Sequence, residues 1–138
     1  MKKSTLLLSV IQTLSKKIRQ IKEQEFQQFD YQDLSAASIH YIDVISTMHN
    51  PTFVELANKL GLSKPSVTIM INKLIEKGYL QKTRSHEDGR VFYITLTEQG
   101  RSIANALNDA HHKVVEHIST RLSGREIETL IALLTKIS

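Results

Sequence analysis

The stretch Ser63 to Lys73, SKPSVTIMINK, sets short hydrogen-bonding side chains beside cations at helical spacing. Ser63, Lys64, Pro65 and Ser66 open it; Pro65, Ser66, Ile69, Asn72, Lys73 and, just beyond, Glu76 share one side of a helix, with Thr68 at its edge. Hydroxyls and amides of this reach suit base edges and sugar-phosphate oxygens, lysines suit phosphates, and Ile69, an apolar residue on the solvent side, suits a thymine methyl. Pro65 lies in the first turn, where its missing donor costs nothing, and free amides there are expected to point at a phosphate. Further on, Lys82, Arg84, His86 and Arg90 gather around the turn HEDG. An arginine at such a tip can enter a narrow minor groove, where the negative potential is deepest, and Asp88 reads as a turn former that orients it. An ordinary solvated helix face and a solvated turn arginine are the plainer readings of the same residues.

The elements that must hold these residues follow from periodicity and punctuation. A first helix is expected from about Ser4 to Gln28, with Leu7, Ile11, Leu14, Ile18 and Ile21 forming a narrow seam. A second follows Ser35 and stops before Pro51, because the residue preceding proline is pushed out of helical geometry. Thr52 and Glu55 form a capping box for a short third helix ending at Gly61; Ser63 caps a fourth that runs to Lys77 and ends at Gly78. The two short helices and the turn between them have helix-turn-helix spacing, and Val67, Met70, Ile71, Leu74 and Ile75 are the core face of the second. Strands YLQKTRS and RVFYITLT flank HEDG, where Asp88-Gly89 is a hairpin signal. A fifth helix is capped by Thr97 and runs to about Arg121; a sixth starts at Ser123 with Glu126 completing a capping box. The fold class is therefore mainly α with a small β-hairpin wing: a winged helix-turn-helix over 35–97, flanked by helical dimerisation segments at 1–34 and 98–138.

Charge agrees with this placement. Between Lys59 and Arg101 stand eight basic residues (Lys59, Lys64, Lys73, Lys77, Lys82, Arg84, Arg90, Arg101) against four acidic ones (Glu76, Glu87, Asp88, Glu98), so this third of the chain carries the whole net +4. A polyanion partner, double-stranded DNA, fits that asymmetry. The absence of cysteine excludes disulfides and thiolate zinc sites and suits a cytoplasmic location. The N-terminal run resembles a signal peptide, but Gln12, Lys16 and Lys17 interrupt it, and no segment has the length to span a membrane. The six histidines form no nucleophile-base-acid pattern and there is no glycine-rich phosphate loop, so neither an enzyme nor a cofactor is expected. A winged-helix protein-interaction module or a sequence-indifferent chromosome binder remains the competing class.

LANKLGLSKPSVTIMINKLIEKGYLQKTRSHEDGRVFYITLTEQG resembles the central signature of the MarR transcriptional regulators: the small-residue turn, L-x-x-K-G-Y-L after the recognition helix, D-G-R in the wing and L-T-x-x-G leading into the next helix. The resemblance implies a homodimeric repressor or activator, with the recognition helix in the major groove, Arg90 in the minor groove and Asp88 holding it. The apolar stripes of the terminal helices independently call for a partner. Zinc-responsive members use histidines of the second and fifth helices and an acidic residue of the first; His40, His111 and Glu23 or Glu25 lie at comparable places, but Leu107 replaces a fourth ligand, so no metal is expected. IHYIDVI and AHHKVVEHI look more like members that repress fatty-acid synthesis genes and respond to an acyl chain. A small hydrophobic or acyl effector, with His40 and His111 at its site and His111 as polar guide, is one expectation; histidines that merely hydrogen-bond within the core are the other.

Overall fold

The computed structural model describes residues 2–27 and 34–138. Six helices and one hairpin follow in the order α1 (Lys3–Phe26), α2 (Ala36–Thr47), α3 (Phe53–Leu60), α4 (Lys64–Glu76), β1 (Leu80–Arg84), β2 (Phe92–Leu96), α5 (Glu98–Ser119) and α6 (Gly124–Ile137). The chain divides into two compact units, one holding α1 and the chain from Leu107 onward, the other holding the described residues 34–106. No helix among the described residues is long and apolar enough to cross a membrane.

The central unit is built from capped helices packed on one apolar core. Ser35 Oγ accepts the Ser38 N–H at 3.1 Å to start α2, which buries Tyr41, Ile42 and Ile45. Burial pushes the Tyr41 phenol upward, so it stays protonated as a core ring. The helix stops earlier than Pro51 alone requires: Asn50 takes a left-handed φ of 44°, which asparagine tolerates, and delivers a buried Pro51. Gly61 at φ 67° ends α3, and Gly78 at φ 87° ends α4 while Tyr79 N–H reaches back to the Leu74 carbonyl at 3.0 Å. Val67, Ile71 and Leu74 are fully buried and Met70 and Ile75 partly so, as the fourth-helix spacing predicts. Each such large side chain contributes about 1.5–3 kcal/mol of apolar burial.

The hairpin is antiparallel, with register from Leu80↔Leu96 to Arg84↔Phe92. Its inner end is core, since Leu80 and Ile94 are buried. A third edge joins it: Ile94 N–H donates to the Pro51 carbonyl at 2.8 Å, and Thr52 bridges Tyr93. Thr97 then locks α5 onto the end of α4, its hydroxyl donating to the Gly78 carbonyl at 2.6 Å and accepting the Gly100 N–H at 3.1 Å. Gly100 is compulsory here, because a Cβ would collide with the Tyr79 carbonyl oxygen and press on Leu96 Cδ2 at 3.3 Å.

Several details differ from expectation. The strands are shorter than expected, with Arg90 and Val91 outside β2. The expected turn at Asp88-Gly89 does form, closing from Val91 N–H to the Asp88 carbonyl at 3.0 Å, with no positive φ at Gly89. The Asp88 carboxylate accepts the Arg90 N–H at 3.0 Å and holds this turn. Around α3 the capping box is half made, because Thr52 Oγ1 accepts the Glu55 N–H while donating its own proton to the Glu55 carboxylate. The expected Gln28 end of the first helix lies outside the described residues, and α5 stops at Ser119 rather than Arg121.

In the other unit, α6 has the full Ser123–Glu126 capping box. Lys113 of α5 pairs with Glu25 of α1, and the carboxylate raises the lysine's affinity for its proton. Much of its apolar residue set stays uncovered: Leu7 is 61% exposed and Ile137 79%, with Ile11, Leu14, Ile131 and Leu134 also open.

Candidate nucleic-acid interface

α4 and its cap Ser63 present the side chains expected of them. Ser63, Lys64, Pro65, Ser66, Asn72 and Lys73 are exposed, Thr68 is half-buried, and Ile69 is 71% exposed on a helix whose opposite side is core. Local bonds decide which polar groups remain available. The Ser63 hydroxyl donates to Ser66 Oγ at 2.9 Å and accepts the Ser66 N–H at 3.3 Å. Val67 N–H is spent on the Ser63 carbonyl and Pro65 has none, so the first turn offers a phosphate the Lys64 amide rather than a set of amides. That corrects the expectation of several free donors there. Thr68 donates to the Lys64 carbonyl at 2.8 Å, leaving its oxygen as an acceptor, whereas Asn72 keeps both halves of its amide for an outside partner.

The wing brings the cations. Arg90 is 92% exposed on its side chain, and its Nε and Nη2 reach Asp88 Oδ1 and Oδ2 at 3.2 and 3.4 Å. The Arg90 backbone N–H, and after it the guanidinium, hold the Asp88 carboxyl below the usual carboxylate range. Asp88 thus fixes both the backbone and the head group of the residue two positions on. Ser85, buried at the base of the tip, accepts the Glu87 and Asp88 N–H groups at 3.2 and 3.4 Å and stiffens the same loop. His86 is exposed beside it.

Lys82, Arg84 and Phe92 lie on the hairpin face that is core at its inner end. The Lys82 ammonium sits 5.1 Å and the Arg84 guanidinium 5.3 Å from the Phe92 ring centroid. Such contacts are worth about 0.5–1 kcal/mol each at exposed sites. A cleft of about 430 Å³ opens between wing and helix, lined by Lys64, Thr68 and Asn72 from α4, by Lys82, Arg90 and Phe92 from the wing, and by Thr52–Val54 and Val91. Of the residues singled out, Lys64, Thr68 and Asn72 of α4 and Lys82 and Arg90 of the wing share this concave surface, while Ser63, Pro65, Ser66, Ile69, Lys73, Arg84, His86 and Asp88 lie outside its lining. Sequence reasoning passed over Phe92 and Thr52; counting the register outward from the hairpin base would have set Phe92 opposite Arg84.

His40 and His111 are each exposed, in the central and the terminal unit respectively, and neither makes an internal hydrogen bond among the described residues. The core-histidine expectation therefore finds no support. Glu25, the acidic residue considered with them, is engaged by Lys113. No three His, Asp or Glu side chains among the described residues come together in a way that could hold a metal ion.

Comparison with known proteins agrees with the geometry. Residues 34–92 match the MarR family model. The HTH-type transcriptional regulator YpoP of Bacillus subtilis (strain 168) is 26% identical over 99% of this chain and 97% of its own. YwhA of the same organism is 26% identical over 63% of each chain, so the chain spans less than two thirds of that relative. Among solved structures, Streptococcus pneumoniae FabT in complex with DNA superposes with a TM-score of 0.81 at 28% identity, covering 97% of this chain and 94% of that one. The S. aureus MepR–DNA complex, with a TM-score of 0.66 at 22% identity and coverage of 99% and 96%, shares the fold.

Proposed function

We propose that this chain, a MarR-type winged-helix protein by its residues 34–92 and its full-length likeness to FabT, is a dimeric, sequence-specific DNA-binding transcriptional regulator acting in the cytoplasm as a repressor. The observation that carries the reading is the shared surface of α4 and the wing: a half-polar helix face with an exposed isoleucine, beside a tip whose arginine is held outward by Asp88. In this reading α4 enters the major groove, with Ser66, Ile69 and Asn72 at base edges and Lys64 and Lys73 at phosphates, and Arg90 enters the adjacent minor groove. The segments 1–34 and 98–138 form the dimer, since the uncovered apolar residues of α1 and α6 gain from a second copy. Two copies then meet two half-sites about one helical turn apart, roughly 34–36 Å.

The direct test is footprinting and anisotropy titration on a pseudo-palindromic operator and its scrambled counterpart. Protection of two half-sites with a clear preference is expected; one protected half-site, or equal affinity for both duplexes, refutes it. An acyl or small hydrophobic effector tunes the binding, with the exposed His111 as its polar guide; the likeness to FabT and the exposure of that histidine support this. Long-chain acyl thioester and zinc, titrated separately into the DNA complex, decide it. A response to the acyl compound that is lost in His111→Ala is expected, and a response to zinc alone refutes it.

A further inference from the structure

The face of the hairpin that begins as core at Leu80 and Ile94 runs out of core before the tip, and its last apolar residue is the Phe92 ring. Directly opposite lies Arg84, one pleat further in lies Lys82, and both cations rest within 5.3 Å of that single ring centroid. No acidic side chain pairs with either of them among the described residues. Two like charges brought to one ring, with no carboxylate between them, form a combination that costs repulsion unless a polyanion answers it. The ring also lines the cleft that Lys64, Thr68 and Asn72 bound from the α4 side.

We infer that Phe92 is a positioning residue for DNA binding: its ring holds Lys82 and Arg84 in advance as a fixed cationic pair aimed at the phosphate backbone beside α4. The inference rests on the DNA-binding reading above. Long cationic side chains ordinarily lose rotamer freedom when they reach a phosphate, and a ring that has already confined both lowers that cost at the moment of binding. The ring itself need touch neither base nor phosphate. Its removal should weaken binding only through the two cations, and that dependence separates positioning from direct stacking or from simple support of the fold.

The test is a mutant cycle on the full-length protein, read by anisotropy on the operator, with ring-current shifts of the Lys82 and Arg84 side-chain protons recorded in the free protein. Phe92→Leu should weaken binding roughly tenfold and have no further effect in a Lys82→Ala/Arg84→Ala background, while Phe92→Tyr should stay within about twofold of the parent. Upfield-shifted side-chain protons should be seen in the wild type and the Tyr variant and be lost in the Leu variant. Equal cost of Phe92→Leu in both backgrounds, or unshifted protons in the wild type, overturns the inference while leaving the DNA reading intact. If the Leu variant unfolds, Phe92→Tyr and the wild-type shifts still decide it. Failure of the wild type to distinguish operator from scrambled duplex sinks both readings together.

Discussion

Replacing Gly100 by alanine should destabilise the protein, although the position is helical and alanine is the better helix former. On propensity alone the change would add about 1 kcal/mol of stability. Against it stands the carbonyl oxygen of Tyr79, which occupies the place a Cβ would take, with Leu96 Cδ2 next to it. The obstacle is backbone, so it cannot swing aside as a side-chain tip would. Relief requires the first turn of α5 to lift by on the order of 1 Å. That strains two bonds converging on the same corner, Thr97 N–H to the Tyr79 carbonyl at 3.1 Å and the Thr97 hydroxyl to the Gly78 carbonyl at 2.6 Å. Their loss costs about 1 kcal/mol each, and the overpacking against Tyr79 and Leu96 adds about 1–3 kcal/mol. The net expectation is a loss of about 2–4 kcal/mol, a fall in Tm of roughly 6–20 °C for a chain of this size. Urea and thermal unfolding followed by circular dichroism, at one fixed protomer concentration so that association does not intrude, measure it. Gly124→Ala is the internal control, since nothing lies within 4 Å of its added Cβ. An unchanged or raised midpoint for Gly100→Ala would refute the packing argument.

Other consequences are equally direct. Arg90→Ala should cost about 1–3 kcal/mol of operator affinity and relax preference at the outer A·T-rich positions, measured by anisotropy over a panel of operator variants. Asp88 is a carboxylate held below its usual range, so the order it gives the tip is present above the ordinary carboxylate range and is lost as pH falls through the lowered value. The Arg90 amide resonance should report that loss in an NMR titration, and Asp88→Asn should remove the transition. Ile69→Ala should leave the unfolding midpoint within about 0.5 kcal/mol, since the side chain is 71% exposed, while altering preference at one central half-site position; marked destabilisation would mean the helix faces are wrongly assigned. Leu7→Glu with Ile11→Glu should shift the protein toward monomer in sedimentation equilibrium and weaken operator binding; an unchanged mass would exclude α1 from the interface.

How far the sequence could be read depended on whether the deciding interaction was local. Ser35, Ser63 and Ser123 each cap the helix they precede, and Val67, Ile71 and Leu74 are buried at the spacing that marked them, because caps and faces are set within one or two turns of chain. The wing tip was legible for the same reason. Asp88-Gly89 marks a turn and Asp88 an orienting partner for Arg90, and the aspartate bonds both the backbone N–H and the guanidinium of that arginine. Gly100 could not be read from its surroundings in the chain, and Phe92 only by counting the hairpin register outward from its base. One is fixed by a carbonyl twenty-one positions back and the other by cations across a strand, and both meanings appear only once register and packing are known.

The edge that Pro51 and Thr52 lend to the hairpin bears on how such proteins could be recombined. The exposed side chains of Ile69, Asn72 and Lys73 on α4 make no hydrogen bond or ion pair among the described residues, so they can be substituted in place. The wing is not a cassette of that kind. Its second strand, β2, is hydrogen-bonded to the residues that open α3, some forty positions upstream, so a hairpin borrowed from elsewhere would arrive without the edge it was shaped against. Chimeras cut ahead of Pro51 should keep donor specificity intact, while those cut at Tyr79 should fold with a loosened tip and blurred minor-groove preference.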